Sequence, residues 1–118
     1  MRELVDTSLL AERLRVFAAE RDWEQFHTPK NLAMALAGEA GELLALLQWL
    51  TNDEITTQLR DAHFRTAFED EIADVLIYLV RLADIAGTDL NAAVASKMTK
   101  NAERYSVDRS KGSAEKAP

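Results

Sequence analysis

The sequence predicts an all-α fold, and three observations carry that expectation. Hydrophobic residues recur at three- and four-residue steps along most of the chain, the spacing of amphipathic helices. Runs of β-branched residues are absent. Only four glycines and two prolines punctuate the 118 residues.

The first helix is predicted from about Ser8 to Arg21, capped by Thr7 or Asp6, with Leu10, Leu14 and Phe17 on one face. A loop from Asp22 to His27 follows and holds Trp23 and Phe26. The second helix has a sharp start, because Thr28 is a good N-cap and Pro29 suits the first helical position. It is predicted to reach about Leu50, with Leu32, Leu36, Leu43 and Leu47 as its apolar stripe. Asn52 and Asp53 stop that helix and cap a short third one, around Glu54 to Arg60. The segment 61–66 carries no clear signal. A long helix from about Ala67 to Ala86 ends at Gly87, a good C-terminal residue. A last helix starts near Thr88 and Asp89 and runs through Leu90, Val94 and Met98 to about Tyr105.

A chain of this length makes one domain with a modest core, and small helical proteins often complete theirs by association. The domain is predicted over residues 1–105, followed by a polar, charged tail over 106–118 that is predicted to be disordered. A formal net charge of −6 repels nucleic-acid backbone and anionic lipid, so neither is an expected partner. With no cysteines, disulfides, zinc ribbons and thiol catalysis are excluded, which fits a reducing compartment. Met1 to Asp6 is charged and lacks the apolar run of a signal peptide. No uncharged apolar stretch approaches the roughly 20 residues of a membrane span. A soluble, cytoplasmic protein is the expectation.

Two segments depart from ordinary amphipathic patterning. Gly38-Glu39-Ala40-Gly41-Glu42-Leu43-Leu44 lies in the second helix, and Glu69-Asp70-Glu71-Ile72-Ala73-Asp74-Val75-Leu76 in the next long one. Glu39 and Glu42 are three residues apart, as are Glu71 and Asp74, so each pair leaves one helix face about a turn apart. Apolar residues surround both pairs, which places four acids near faces the protein must bury. Such acids resist desolvation unless a counter-charge joins them, and a hard cation such as Mg²⁺ takes oxygen ligands and keeps water and phosphate ligands as well. Gly38 and Gly41 each cost a helix roughly 1 kcal/mol against alanine, which suggests close approach of a helix or ligand there. Acid pairs on helices are also common on solvated faces, so pattern alone leaves both readings open. Di-iron chemistry needs glutamates with paired Glu-x-x-His motifs. The histidines are His27 and His63; only His27 follows a glutamate at that spacing, Glu24, and it does so in a loop. An all-oxygen donor set favours Mg²⁺ or Mn²⁺ over iron.

These residues resemble the all-α NTP pyrophosphohydrolase superfamily, and most of all its MazG-like branch, which contains the dCTP pyrophosphatases. The likeness runs from about Phe17 to Tyr105. It rests on Phe17-Ala18-Ala19-Glu20-Arg21-Asp22-Trp23 with Gln25-Phe26-His27, then Pro29, Asn31-Leu32, Gly38 to Leu43 and Gln48-Trp49. Asp70 to Leu79 and the residues Lys97-Met98, Lys100-Asn101 and Arg104-Tyr105 continue it in order. The resemblance implies a four-helix-bundle-like fold of the MazG type, completed by oligomerisation as a tetramer of paired dimers. It implies Mg²⁺-dependent hydrolysis of a nucleoside triphosphate to monophosphate and pyrophosphate, on dCTP or a related or modified pyrimidine deoxynucleotide. It makes Glu39, Glu42, Glu71 and Asp74 the magnesium ligands. It sets Trp23, His27, Trp49 and Tyr78 in or beside the nucleotide pocket, with Lys97 and Asn101 on phosphate or sugar, often from a neighbouring subunit. One departure is Leu14, which stands where the dCTP enzymes would carry a histidine beside the base.

Physical reasoning runs alongside. Hydrolysis between the α- and β-phosphates needs charge neutralisation and an aligned water more than covalent help. A carboxylate not fully used by metal, Glu42 or Glu39, is the candidate to orient that water. Lys97, Asn101 and Arg104 share a helix face, which is equally the pattern of a solvated basic face. Trp23 and Trp49 flank polar segments and suit base stacking, or a core or subunit interface. Tyr78 lies one turn beyond Asp74 on the same side. The alternative from another class is a non-catalytic helical interaction module, antitoxin- or adaptor-like, whose acids are surface charge.

Overall fold

The computed structural model describes residues 3–118, and all of its regular structure is helical. Met1 and Arg2, part of the charged N-terminal stretch, lie outside the described residues. Six helices follow in order: α1 (Ser8–Glu20), α2 (Pro29–Leu47), α3 (Asn52–Gln58), α4 (Ala62–Ala86), α5 (Leu90–Arg104) and the single turn α6 (Val107–Ser110).

Local chemistry sets the boundaries. Thr28 accepts a hydrogen bond from the Asn31 amide and Pro29 opens α2. That helix ends at Leu47, three residues before the predicted Leu50, because the chain must become extended at Thr51 to cap α3. Thr51, rather than Asn52 or Asp53, is that cap: its hydroxyl accepts from the Glu54 amide while the Glu54 carboxylate accepts from the Thr51 amide. α4 starts at Ala62 instead of Ala67, since the Asp61 carboxylate accepts from the Phe64 amide and settles the segment 61–66 as its first turn. The tail carries α6, and its end is tied back by the Tyr105 hydroxyl, which accepts from the Ala117 amide, and by Arg104, which donates to the Ala117 carbonyl.

Helices α1 and α4 end alike. In α4 the Thr88 amide reaches the Ala83 carbonyl and Gly87 takes a left-handed φ of 71°. In α1 the Trp23 amide reaches Ala18 and the Asp22 amide reaches Ala19, with Asp22 itself at φ 54°. A short acidic side chain tolerates that conformation better than most. The turn folds Trp23 back against Phe17, with ring centroids 5.7 Å apart and edge to face.

α4 is the central element, packed along α2 and against α1. Leu32 of α2 and Val80 of α4 are the largest fully buried side chains, joined by Ala11, Ala18 and Ala83. α5 makes only slight contact with the other helices. The radius of gyration, 17.6 Å, accordingly exceeds the roughly 13–14 Å of a compact chain this long. Large apolar side chains stay exposed on α2 (Met34, Leu44), just beyond its end (Trp49) and on α4 (Ile72, Leu76, Leu79). No described helix is long and apolar enough to cross a membrane.

Candidate functional site

The packing of α2 on α4 brings the two acidic motifs face to face. Carboxylate oxygens of Glu39, Glu42 and Glu71 all lie within 4.8 Å of one another. Oε2 of Glu39 and Oε2 of Glu71 are buried and have no hydrogen-bond partner. The Glu39 carboxyl is pushed up to about 7, first by the approach of Glu71, then by burial and by the charges of Glu42 and Asp74. Glu42 is the open member of the group. Two orphaned buried oxygens in an all-carboxylate set fit a hard divalent cation, whose charge would meet the repulsion and whose ligand sphere would satisfy the oxygens.

Asp74, one turn beyond Glu71, stands outside that trio but close enough for its charge to act on Glu39. It lines the adjoining cavity of about 330 Å³, together with Leu14, Phe17, Trp23, His27, Ile77, Tyr78 and Arg81. α1, the loop before α2, and α4 thus supply the walls, which are mainly apolar. Trp23 remains 43% exposed at the rim, with its ring 6.3 Å from that of His27. Hydrogen bonds hold the loop: Phe26 and His27 amides donate to Trp23 and Glu24 carbonyls, and the Asn31 side chain donates to the Phe26 carbonyl.

Behind the cavity lies a polar chain. Arg81, 5% exposed, donates from Nε to His27 Nδ1 at 3.0 Å. Its Nη1 lies 3.6 Å from Oδ2 of Asp84. Asp84 also takes Arg15 of α1 in two hydrogen bonds of 2.7 and 3.1 Å. Arg15 holds the Asp84 carboxyl below its usual range, and burial followed by the Arg81 charge lowers His27.

Among the residues expected at the site, Glu39, Glu42 and Glu71 come together, whereas Asp74 stands just outside them and lines the neighbouring cavity with Trp23, His27 and Tyr78. Trp49, 87% exposed beyond the end of α2, and Lys97 and Asn101, exposed on α5, do not line it. Gly38 and Gly41 have open space within 4 Å of where a Cβ would sit, so no element among the described residues makes the close approach expected there. The sequence pattern does not single out Arg81; its one signal was a charge inside the apolar run from Val75 to Leu82.

The MazG-like family model matches residues 34–117, the span that carries both acidic motifs. The chain belongs to the MazG-like family. This MazG-like chain is 54% identical over 98 residues to dCTP pyrophosphatase 1 of Rattus norvegicus, covering 83% of the chain and 58% of that relative. It is 51% identical over 100 residues to dCTP pyrophosphatase 1 of Homo sapiens, covering 85% of the chain and 59% of that relative. It therefore spans under two thirds of the length of these relatives. The crystal structure of a pyrophosphatase from Archaeoglobus fulgidus superposes with a TM-score of 0.79 at 39% identity, over 90% of the MazG-like chain and 97% of the other.

Proposed function

We propose that this protein is a nucleotide pyrophosphohydrolase, converting a nucleoside triphosphate and water to the monophosphate and pyrophosphate, with dCTP or a related pyrimidine deoxynucleotide as substrate. The observation that carries this reading is the juxtaposition of the Glu39, Glu42 and Glu71 cluster with an apolar, aromatic-rimmed cavity, linked by Asp74, which lines the cavity and whose charge acts on Glu39. The volume falls in the range of small-ligand sites, about 300–1,000 Å³. The names of the rat and human relatives, and of the archaeal pyrophosphatase, support the same chemistry.

Glu39, Glu42, Glu71 and Asp74 would hold Mg²⁺, with Mn²⁺ as a substitute. When bound, such ions neutralise polyphosphate charge and lower the pKa of a bound water. Trp23 offers a stacking face to the base, and Tyr78 a hydroxyl one turn from Asp74. Glu42, open to solvent where Glu39 is partly buried, is the better placed carboxylate to accept a proton from the attacking water.

The same reading includes association into paired dimers. Only five apolar residues are buried among those described, and exposed apolar side chains persist along α2 and α4. Lys97 and Asn101, which do not line their own cavity, would reach the substrate of a neighbouring subunit. An acidic chain without cysteines suits a cytoplasmic nucleotide pool rather than a nucleic-acid or membrane partner.

The test is pyrophosphate release from a panel of common and modified nucleoside triphosphates, with and without Mg²⁺. Metal-dependent release with the matching monophosphate is expected. Glu42→Gln and Asp74→Asn should each lower kcat by about 100-fold or more while remaining folded. Normal turnover in both variants, or no turnover by folded wild-type protein, would return the chain to a helical interaction module.

A further inference from the structure

Arg81 sits in the apolar stretch of α4 with almost no exposure. A guanidinium stays charged and can only donate hydrogen bonds. His27 Nδ1, 3.0 Å from Arg81 Nε, must therefore be the acceptor nitrogen, and in a neutral imidazole the proton then resides on Nε2. A doubly protonated ring would set an N–H against the guanidinium, and both burial and the Arg81 charge disfavour it. Nε2 makes no hydrogen bond to a described residue, although His27 lines the cavity. Leu14, Phe17, Trp23 and Ile77 make most of the wall apolar, so a donor there is one of few polar points, the others being Asp74, Tyr78 and Arg81. Arg81 is itself anchored, because Asp84 faces it one turn on and is clamped from α1 by Arg15.

We propose that Arg81 is a positioning residue: it locks His27 as the neutral tautomer carrying its proton on Nε2, so that the cavity offers a fixed donor to an acceptor atom on the edge of a bound heterocyclic base. The identity of that ligand rests on the nucleotide reading above, whereas the tautomer does not. A carbonyl oxygen or an unprotonated ring nitrogen meets the donor, and cytosine presents both side by side. An N–H at the same place is rejected, since it would leave two donors facing each other without water between them. Arg81 touches no substrate in this scheme and acts only through His27.

The test uses the whole chain and long-range proton–nitrogen correlation of its imidazoles. With only two histidines, His63→Asn assigns the His27 signals. In the wild type, Nδ1 is expected to be the bare nitrogen and Nε2 the protonated one; in Arg81→Met the two forms should mix, and Arg81→Lys should restore Nδ1 as acceptor. Kinetically, Arg81→Met and His27→Phe should each raise KM by about 3- to 10-fold, the loss of one hydrogen bond, with kcat nearly unchanged. The double variant should be no worse than the poorer single one, as for residues acting through a single contact. A protonated Nδ1 in the wild type, an unchanged tautomer in Arg81→Met, or multiplying KM effects would each overturn the proposal. If Arg81→Met does not fold, the wild-type spectrum and Arg81→Lys decide. Should wild-type protein turn over no nucleotide, the proposed function falls, while the imidazole spectrum still tests the hold of Arg81 on His27.

Discussion

Glu39 of α2 and Glu71 of α4 bring their carboxylates within 4.8 Å of each other, and Oε2 of each is buried without a hydrogen-bond partner. An unsatisfied buried acceptor costs about 1–3 kcal/mol, and a charged one more. This is a destabilised arrangement that a divalent cation would relieve, and it ties a stability measurement directly to the site.

Metal binding is accordingly expected to stabilise the fold in a pH-dependent way. Without a cation the Glu39 carboxyl sits at about 7, raised from 4.5 by Glu71, burial and neighbouring charge. Its proton thus favours the folded state: that stabilisation is complete below 4.5 and is lost as pH rises through 7. A cation requires the ionised form and displaces the proton. Mg²⁺ should raise Tm by roughly 10 °C at a hundredfold excess over Kd. At one fixed Mg²⁺ concentration the shift should be larger at pH 8 than at pH 6, because the proton competes with the cation. Thermal melts at the two pH values decide it, and identical curves with and without Mg²⁺ would rule out a cation site here.

Glu71→Gln should separate stability from metal response. The amide removes one charge from the cluster and can donate to the Glu39 carboxylate, so the metal-free variant should be more stable than wild type, by about 1 kcal/mol. Its Mg²⁺-induced shift in Tm should vanish. Urea unfolding with and without metal measures both; a less stable metal-free variant would mean that Glu71 is structural.

The features that could be read in sequence are those decided within one or two helical turns. Thr28 with Pro29, Gly87, and the paired acids at three-residue spacing all act over such distances. The capping box at Thr51 and Glu54 was written there too, yet Asn52 and Asp53 are equally good caps by residue type, and only the extended backbone at Thr51 decides between them. The contact of Arg81 with His27 spans 54 positions and depends on how the loop before α2 folds back on α4, which no local pattern encodes. The setting of Trp49, Lys97 and Asn101 is beyond reach for another reason: all three are exposed and stand outside the cavity lining, so no packing among the described residues marks them.

Trp23 is the aromatic residue expected to dominate affinity. Its ring lines the cavity yet stays partly open at the rim, the situation of a stacking platform rather than a core residue. Loss of one base–aromatic stack costs about 1–3 kcal/mol. Trp23→Ala should therefore raise KM for the best nucleotide by about 5- to 150-fold, with a smaller effect on kcat. Steady-state kinetics checks this, and an unchanged KM would remove Trp23 from the pocket. Trp23→Phe, which keeps a ring beside Phe17, should recover most of the loss.

Core packing is concentrated in very few side chains, and this sharpens a stability prediction. Leu32 and Val80, 2% and 1% exposed, are the largest fully buried side chains. Leu32→Ala leaves a cavity at the main helix contact and should cost about 2–5 kcal/mol, a large part of the stability of a domain this small. Urea unfolding gives the value, and a cost below about 1 kcal/mol would show that α2 is held by contacts other than this one.

Asp84 accepts Arg15 from the surface side and faces Arg81 from the interior, so its two partners should respond differently to substitution. Asp84→Asn strands the buried guanidinium of Arg81, which is expected to cost about 3 kcal/mol at neutral pH. Arg15→Gln leaves Arg81 its carboxylate and removes only an exposed, salt-screened partner, so its effect should be smaller and should shrink further at high ionic strength. The pH dependence follows from the lowered Asp84 carboxyl, whose cause is first of all the Arg15 hydrogen bonds. A group depressed in the folded state stabilises above its unfolded value of 3.8 and loses that contribution as pH falls through the folded value. The gap between wild type and Asp84→Asn should therefore be full at pH 7 and at pH 5 and should close in strong acid. Urea unfolding at pH 7, 5 and 3 follows it; a gap independent of pH would mean that Asp84 acts through packing and not through its charge.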